Sequence, residues 1–253
     1  MKVNHKAAAA CWIVAVAIGA TLLAQRPERG GFGRGPLGGM FFAKTVTNEP
    51  YSGVGVTTTK RVLADGNTIT ESQCVKVYRD SAGRTRQEET RNSATCSATP
   101  STILIVDPVA GMRYFIDPQN NTYRQMSLQA PPAGAAPRAE REARNRQNGV
   151  QTSLGTQPIA GTSFNAQGTQ TVATIPAGRL GNAQPITITS TRWYSPDLQI
   201  VVQSSRSDPR GGTTTYQLSN ISTAEPDASL FQLPSGLTLQ QGGGFGGRGR
   251  RAE

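Results

Sequence analysis

From Ile186 to Ser222 the chain runs through three β-branched stretches, Ile186 to Tyr194, Gln199 to Ser207 and Thr213 to Ser222, in which side chains alternate in character. Ser195-Pro-Asp-Leu198 and Asp208-Pro-Arg-Gly-Gly212 separate them. A period of two broken by Pro, Asp and Gly predicts a three-strand antiparallel meander. The same texture begins at Phe41. Strands are expected over Phe41 to Thr47 and Tyr51 to Leu63, with a break at Pro50 and a turn at Ala64-Asp65-Gly66. Asn67 to Arg79 returns, and Asp80-Ser-Ala-Gly83 turns again. Thr102-Ile-Leu-Ile-Val106 is a continuous apolar run of strand length, which predicts burial on both faces. Met112 to Ile116 and Thr122 to Met126 follow, and Asp107-Pro108 and Asp117-Pro118 end their strands because proline cannot continue a ladder.

Three stretches depart from that texture. Arg84 to Arg91 alternates charged and polar residues with almost no apolar side. Arg84, Arg86, Glu88 and Glu89 therefore read as a solvated cross-strand ladder, and only against that reading as a binding cluster. Ala130 to Gly149 opens as a Pro/Ala linker and continues as Arg138 to Arg146, which has helix formers and an i, i+4 Glu140–Arg144 pair but no apolar stripe to dock. It predicts a mobile insertion at about 129–150 within one β domain spanning 41–239. Leu154 to Gly161, Thr162 to Gln167 and Thr169 to Ile175 predict short strands, with a loop over Pro176 to Asn182. Near the end, Asp227 is placed to cap a single turn that seats Leu230 and Phe231. Residues 25–40 and 240–253 are rich in glycine and arginine without periodicity, so both ends are expected to be disordered. The fold class is mainly β: a curved antiparallel sheet or an incomplete, half-open β-barrel with few helices.

The first residues bear on compartment. Lys2 and Lys6 precede an uncharged, largely apolar run from Ala7 to Ala24, and polar Gln25-Arg26-Pro27 follows. This is the layout of a secretory signal peptide over 1–24, cut between Ala24 and Gln25. The alternative is a retained membrane anchor, since such a run sits at the lower edge of what spans a bilayer. Cys11 lies too early in the run for a lipid-attachment box. Cleavage removes His5, the only histidine, and leaves 24 basic against 16 acidic side chains. Nearly all of that basic charge is arginine. It suits an anionic envelope polymer or lipid, or it reflects codon composition alone. Cys74 and Cys96 remain. Two thiols in an oxidising compartment are most simply a disulfide, which would restrict the unfolded chain by roughly 3 kcal/mol; a zinc site would want about four ligands.

Without histidine in the mature chain, Ser-His-Asp and Cys-His arrangements are excluded. No phosphate loop, metal-ligand spacing or dinucleotide fingerprint occurs, so no catalytic, cofactor or metal residue is assigned. Asp107 and Asp117 are read as turn residues, and an enzyme reading requires Asp107, Asp117 and Asp197 to converge in one cleft. Trp193 and Tyr194 are core-packing aromatics or line an apolar pocket, and as strand neighbours they face opposite sides. The Arg-Gly-Phe tails would suit RNA in an intracellular protein; behind a signal segment nucleic acid is disfavoured, and membrane contact comes only through an uncleaved signal.

Ile105-Val-Asp-Pro108, Tyr114-Phe-Ile-Asp-Pro118 and Trp193-Tyr-Ser-Pro-Asp-Leu198, in this order of short strands and turns, resemble the periplasmic lipoprotein-carrier superfamily, the LolA/LolB-like proteins. Arg192 to Leu233 is similar to a group of uncharacterised exported bacterial proteins. The resemblance covers about Phe41 to Leu239. It implies an incompletely closed barrel around an apolar cavity for acyl chains, partly covered by helices, although no amphipathic helix is predicted here to form that cover. The resulting expectation is an exported, periplasmic or extracellular, noncatalytic protein of the cell envelope. It would bind a lipid or other hydrophobic ligand in a concave face lined by Leu104, Tyr114, Ile116, Trp193 and Val201. The alternative is a structural or interaction module for an anionic envelope polymer or a protein, its concave face filled by its own side chains.

Overall fold

A computed structural model describes residues 45–128 and 149–240. The signal segment with Cys11, Ala24 and Gln25, the 25–40 leader, residues 129–148 of the expected insertion and the tail from 241 lie outside the described residues. The architecture is one open sheet of twelve strands in the order β12-β6-β5-β4-β3-β2-β1-β11-β10-β9-β8-β7. It is made of two meanders. The first contains β1 (Tyr51–Val62), β2 (Thr68–Arg79), β3 (Thr85–Arg91), β4 (Thr102–Asp107), β5 (Met112–Asp117) and β6 (Thr122–Ser127). The second contains β7 (Val150–Pro158), β8 (Asn165–Ile175), β9 (Ile186–Ser195), β10 (Ile200–Asp208) and β11 (Gly212–Ser222). Antiparallel pairing of β1 with β11 joins them. A short strand, β12 (Thr238–Leu239), then returns to the far edge and pairs in parallel with β6. The sheet is not closed into a barrel: β12 and β7 are its two edges.

The expected Pro/Asp/Gly turns after β1, β2, β4, β5, β9 and β10 each fall at a junction between strands. Asp107 accepts hydrogen bonds from the backbone N–H groups of Val109 and Ala110, and Asp117 from those of Gln119 and Asn120, so both aspartates are spent on their own turns. Asp227 caps the 3₁₀ turn Ala228–Phe231 by accepting from the Ser229 N–H, and Phe231 is buried. Cys74, fully buried on β2, is joined to Cys96 in the β3–β4 loop. The bridge ties that loop to the strand beyond β3.

Three details differ from expectation. Thr45–Thr47 form no strand, and the first ladder starts at Tyr51. Thr162 to Gln167 is no strand of its own: a tight turn, held by Ile159 N–H to Phe164 O at 3.0 Å, leads directly into β8. Nor is β3 solvated on both faces. Arg86 and Thr90 are buried, Arg86 where it donates to Leu230 O of a later segment and Thr90 opposite the bridged Cys74.

Residues directly opposite in neighbouring strands share a face, and the register shows the apolar surface changing sides along the sheet. Val77, Gln87, Leu104 and Phe115 form one row, whereas Tyr78, Arg86, Ile105 and Tyr114 form the row on the other face. The cluster of Ile103, Ile105 and Ile116 thus lies on one face of β4–β5. The larger cluster, with Val75, Val77, Tyr216 and Leu218, lies on the opposite face of β2, β1 and β11. Gly55 sits between Val75 and Leu218 in that second face, and a Cβ there would meet the Tyr216 ring at 2.8 Å. Only glycine lets the ring lie down on β1.

Candidate functional site

The best-defined composite surface is the face of β3–β6 and the segment that crosses it, residues 223–240. This strap starts at Glu225, whose carboxylate accepts from both the backbone N–H and the hydroxyl of Ser81 in the β2–β3 turn. Those hydrogen bonds hold the Glu225 carboxyl below its ordinary value. Arg86 donates from Nη1 to Leu230 O at 3.0 Å, and the Arg84 guanidinium stands 5.2 Å from the Phe231 ring centre. Leu233 and Leu237 then pack on the Ile103, Ile105 and Ile116 cluster together with Tyr114 and Tyr123. At the far edge Thr238 N–H donates to Asn121 O and Gln240 N–H to Tyr123 O, at 2.9 and 2.8 Å. The apolar face of this half is therefore covered by the chain itself.

The larger cluster is closed at one end of the sheet. Ile159 and Phe164 of the β7–β8 turn, Leu198 of the β9–β10 turn, and Tyr51 at the start of β1 meet there. Arg79 at the end of β2 holds this end together from inside. It is 5% exposed, donates Nε to Glu49 O at 2.8 Å and Nη2 to Leu198 O at 2.6 Å, and lies 4.7 Å from the Tyr51 ring centre. Burial lowers the Arg79 pKa, and the nearby Tyr51, Glu49 and Tyr194 oppose that shift. Burial likewise raises Tyr51 and drives the Tyr216 phenol far above its usual range. A buried cation satisfied by two carbonyls and an aromatic face is a structural clamp.

The structure does not bring the five expected cavity residues together. Tyr114 and Ile116 lie under the strap. Leu104 is buried on the other face, opposite Phe115. Trp193 and Val201 are half-buried at the margin of the larger cluster. Trp193 rests on Gly168 of the paired strand, where a Cβ would stand 2.7 Å from its ring. Tyr194 is paired instead with Val201 and stacks beneath Arg192, whose guanidinium is 4.7 Å from the ring centre. Asp107 and Asp117 occupy opposite ends of the β4–β5 hairpin, about 17 Å apart along the strand by the rise per residue. Asp197 lies in the β9–β10 turn beyond Ser195, remote from both in strand order. Arg86 pairs with Glu88 at 2.7 Å and Arg91 with Glu89 at 2.6 Å, a ladder along β3. Among the described residues no cluster of His, Cys, Asp and Glu could hold a metal ion. No helix among them is long and apolar enough to cross a membrane. Of the strap, the Asp227 turn with Leu230 and Phe231 is legible in the sequence; its continuation through Leu233 and Leu237 to β6 is not, in a stretch punctuated by Pro234 and Gly236.

No protein-family model and no curated protein matches the sequence. Solved structures do resemble the fold. MucB is 11% identical, with 76% of this chain and 60% of that one covered at a TM-score of 0.41. A LolA superfamily protein, NE2245 from Nitrosomonas europaea, is 9% identical, with coverages of 74% and 92% and a TM-score of 0.32. LprF from Mycobacterium bovis is 16% identical, with coverages of 71% and 90% and a TM-score of 0.28. The chain thus spans about 60% of the length of MucB. The resemblance to the LolA/LolB-like superfamily is met among these neighbours. At such identities and TM-scores the likeness is one of strand layout and carries nothing about function.

Proposed function

We propose that this chain is an exported, noncatalytic module of the cell envelope that acts by contact, with its apolar sheet faces occupied by its own side chains. The observation that carries this reading is the strap. Leu233 and Leu237 sit on Ile103, Ile105 and Ile116, where a hydrophobic ligand would otherwise lie. Export is supported by the signal-like layout of 1–24 with its Ala24–Gln25 junction, and by the Cys74–Cys96 bridge, which suits an oxidising compartment. Residues 41–239 are read as one domain, because β1 and β11 pair across the two meanders. The lack of catalysis is supported by the separate turn roles of Asp107 and Asp117 and by a mature chain without histidine.

A carrier of lipid is the second reading, and one observation favours it. The last anchor of the strap, β12, is two exposed residues long. Lifting it would uncover Tyr114, Ile116 and their neighbours for an acyl chain. Mass spectrometry of organic extracts of the protein, purified from a cell envelope, separates the two. The module reading expects a folded protein with no stoichiometric lipid. A stoichiometric lipid would overturn it in favour of the carrier.

A further inference from the structure

The end of the sheet opposite Arg79 has a different chemistry. Thr70, Lys60, Thr213, Ser207, Thr189, Val172 and Val150 form one continuous row across seven strands. Beyond that row the strands end within one to three residues of each other, at Val62 on β1, at the Asp208–Gly212 pair and at the Ile175–Ile186 pair. Three turns therefore stand level over β2 to β8, on an edge about 24 Å wide by the spacing of strands. On this edge Val62 is 64%, Leu63 37%, Ile69 41%, Leu180 61% and Val150 73% exposed. These are five of the nine large apolar side chains left in water among the described residues.

The turns that present them are built. Leu63 donates its N–H to Asn67 O at 2.7 Å, and Asp65 accepts from both the backbone and the side-chain amide of Asn67, which closes the β1–β2 hairpin. Asn182 accepts from the Leu180 N–H at 3.0 Å and donates to Pro176 O and Gln184 O, so the β8–β9 loop holds Leu180 outward. Asp208 gathers Arg210 and Arg206 in the turn between. Lys60, Arg61, Arg179, Arg206 and Arg210 face Asp65, Glu71 and Asp208 on this end, an excess of cations around exposed apolar tips. Asp208 is paired with Arg206 and Arg210, and Asp65 keeps its charge under the hydrogen bonds of the neutral Asn67, so Lys60, Arg61 and Arg179 are the cations that outnumber the carboxylates left, Asp65 and Glu71.

We propose that this end of the sheet docks on an anionic lipid surface, with Val62, Leu63 and Leu180 entering the headgroup region and Lys60, Arg61 and Arg179 meeting lipid phosphates. A soluble anionic polymer would satisfy the cations but offers no medium for the apolar tips. A bilayer interface offers both. The proposal rests on the contact-module reading and names its partner. It leaves the strap and the larger cluster in place.

The test uses the full chain carrying Leu63→Trp, read as a difference from the parent, which already contains Trp12 and Trp193. Vesicles of phosphatidylglycerol in phosphatidylcholine should shift the emission of the new indole to the blue and expose it to quenching by bromine-labelled acyl chains. Pure phosphatidylcholine should do so less, and high salt should weaken the response. Val62→Asp and Leu180→Asp, on separate hairpins and each with an unchanged cooperative melt, should each cut the partition about tenfold. An indole that stays in water with anionic vesicles overturns the proposal, and an equal response to neutral vesicles overturns its anionic partner. Lipid found in the organic extract would overturn the module reading while leaving the indole result to stand. A silent indole with a clean extract removes the docking surface alone.

Discussion

The same strands end in two unlike ways. At one end Tyr51, Leu198, Ile159 and Ile221 close over a buried arginine. At the other, Val62, Leu63 and Leu180 stand in water among lysines and arginines. β1 carries the gradient within itself. Tyr51, Gly53 and Gly55 are buried, Thr57 and Thr59 half-buried, and Lys60, Arg61 and Val62 exposed. β1 stays paired with β2 from Tyr51 to Val62, so membership of the ladder does not decide burial. Among the described residues, turns from distant parts of the chain cover one end and not the other. Apolar residues are placed in a core by what packs against them, and the uncovered ones become candidates for contact with something else.

Truncating one leucine at each end gives the largest expected contrast. Leu198 is 1% exposed, and Leu198→Ala should lower the unfolding free energy by about 3 kcal/mol through lost transfer energy and a residual cavity. Leu180→Ala, the same chemistry in the opposite loop, should stay within about 0.5 kcal/mol. Urea unfolding of both variants measures the difference. Equal costs would mean that the two ends are buried alike, and the contrast would fail.

The next effect concerns the clamp. Arg79→Met keeps most of the stem against Tyr51 but removes both donors, leaving Glu49 O and Leu198 O without their partners in a buried place. The expected loss is about 2 kcal/mol, from the cost of unsatisfied buried acceptors. Accelerated amide exchange in the β9–β10 turn should accompany it. A destabilised variant with unchanged exchange near Leu198 would show that Arg79 acts by packing alone.

Much of this contrast was hidden in the sequence for a definable reason. Local signals sufficed for the β9–β11 meander, the Asp107 and Asp117 turns and the Asp227 cap, because each is decided within a few residues. Non-local pairing was not readable. β1 meets β11 more than 150 residues later, with Lys60 against Thr213, and β12 returns to β6 across the sheet. The return of the chain to β6 decides that Arg86 is covered and that the strap fills the face where a ligand cavity was expected, whereas Leu104 and Ile116 face apart through the register of the local β4–β5 hairpin. Leu63 and Leu180 looked like ordinary turn neighbours. Only the common register of Lys60, Ser207 and Val172 brings them to one edge.

Electrostatics supplies the smallest and sharpest test of the exposed end. Where Arg79 is held by carbonyls in a buried place, Asp208 is held by arginines at the surface. The Arg210 side chain donates to both oxygens of Asp208, and together with Arg206 it lowers the Asp208 carboxyl from 3.8 to about 2. The folded-state pKa is depressed, so the stabilisation is complete above the unfolded value near 3.8 and is lost as the pH falls through about 2. Both arginines are half-exposed, so solvent and salt keep the contribution of the pair to stability small. An NMR titration of the Asp208 carboxyl carbon should therefore place its midpoint well below that of a free aspartate. Arg210→Gln should raise that midpoint more than Arg206→Gln, since the Arg210 contact is 2.8 Å and the Arg206 contact 3.4 Å. If Arg210→Gln leaves it unmoved, the β10–β11 turn is not organised by this ion pair, and the outward set of its arginines needs another cause.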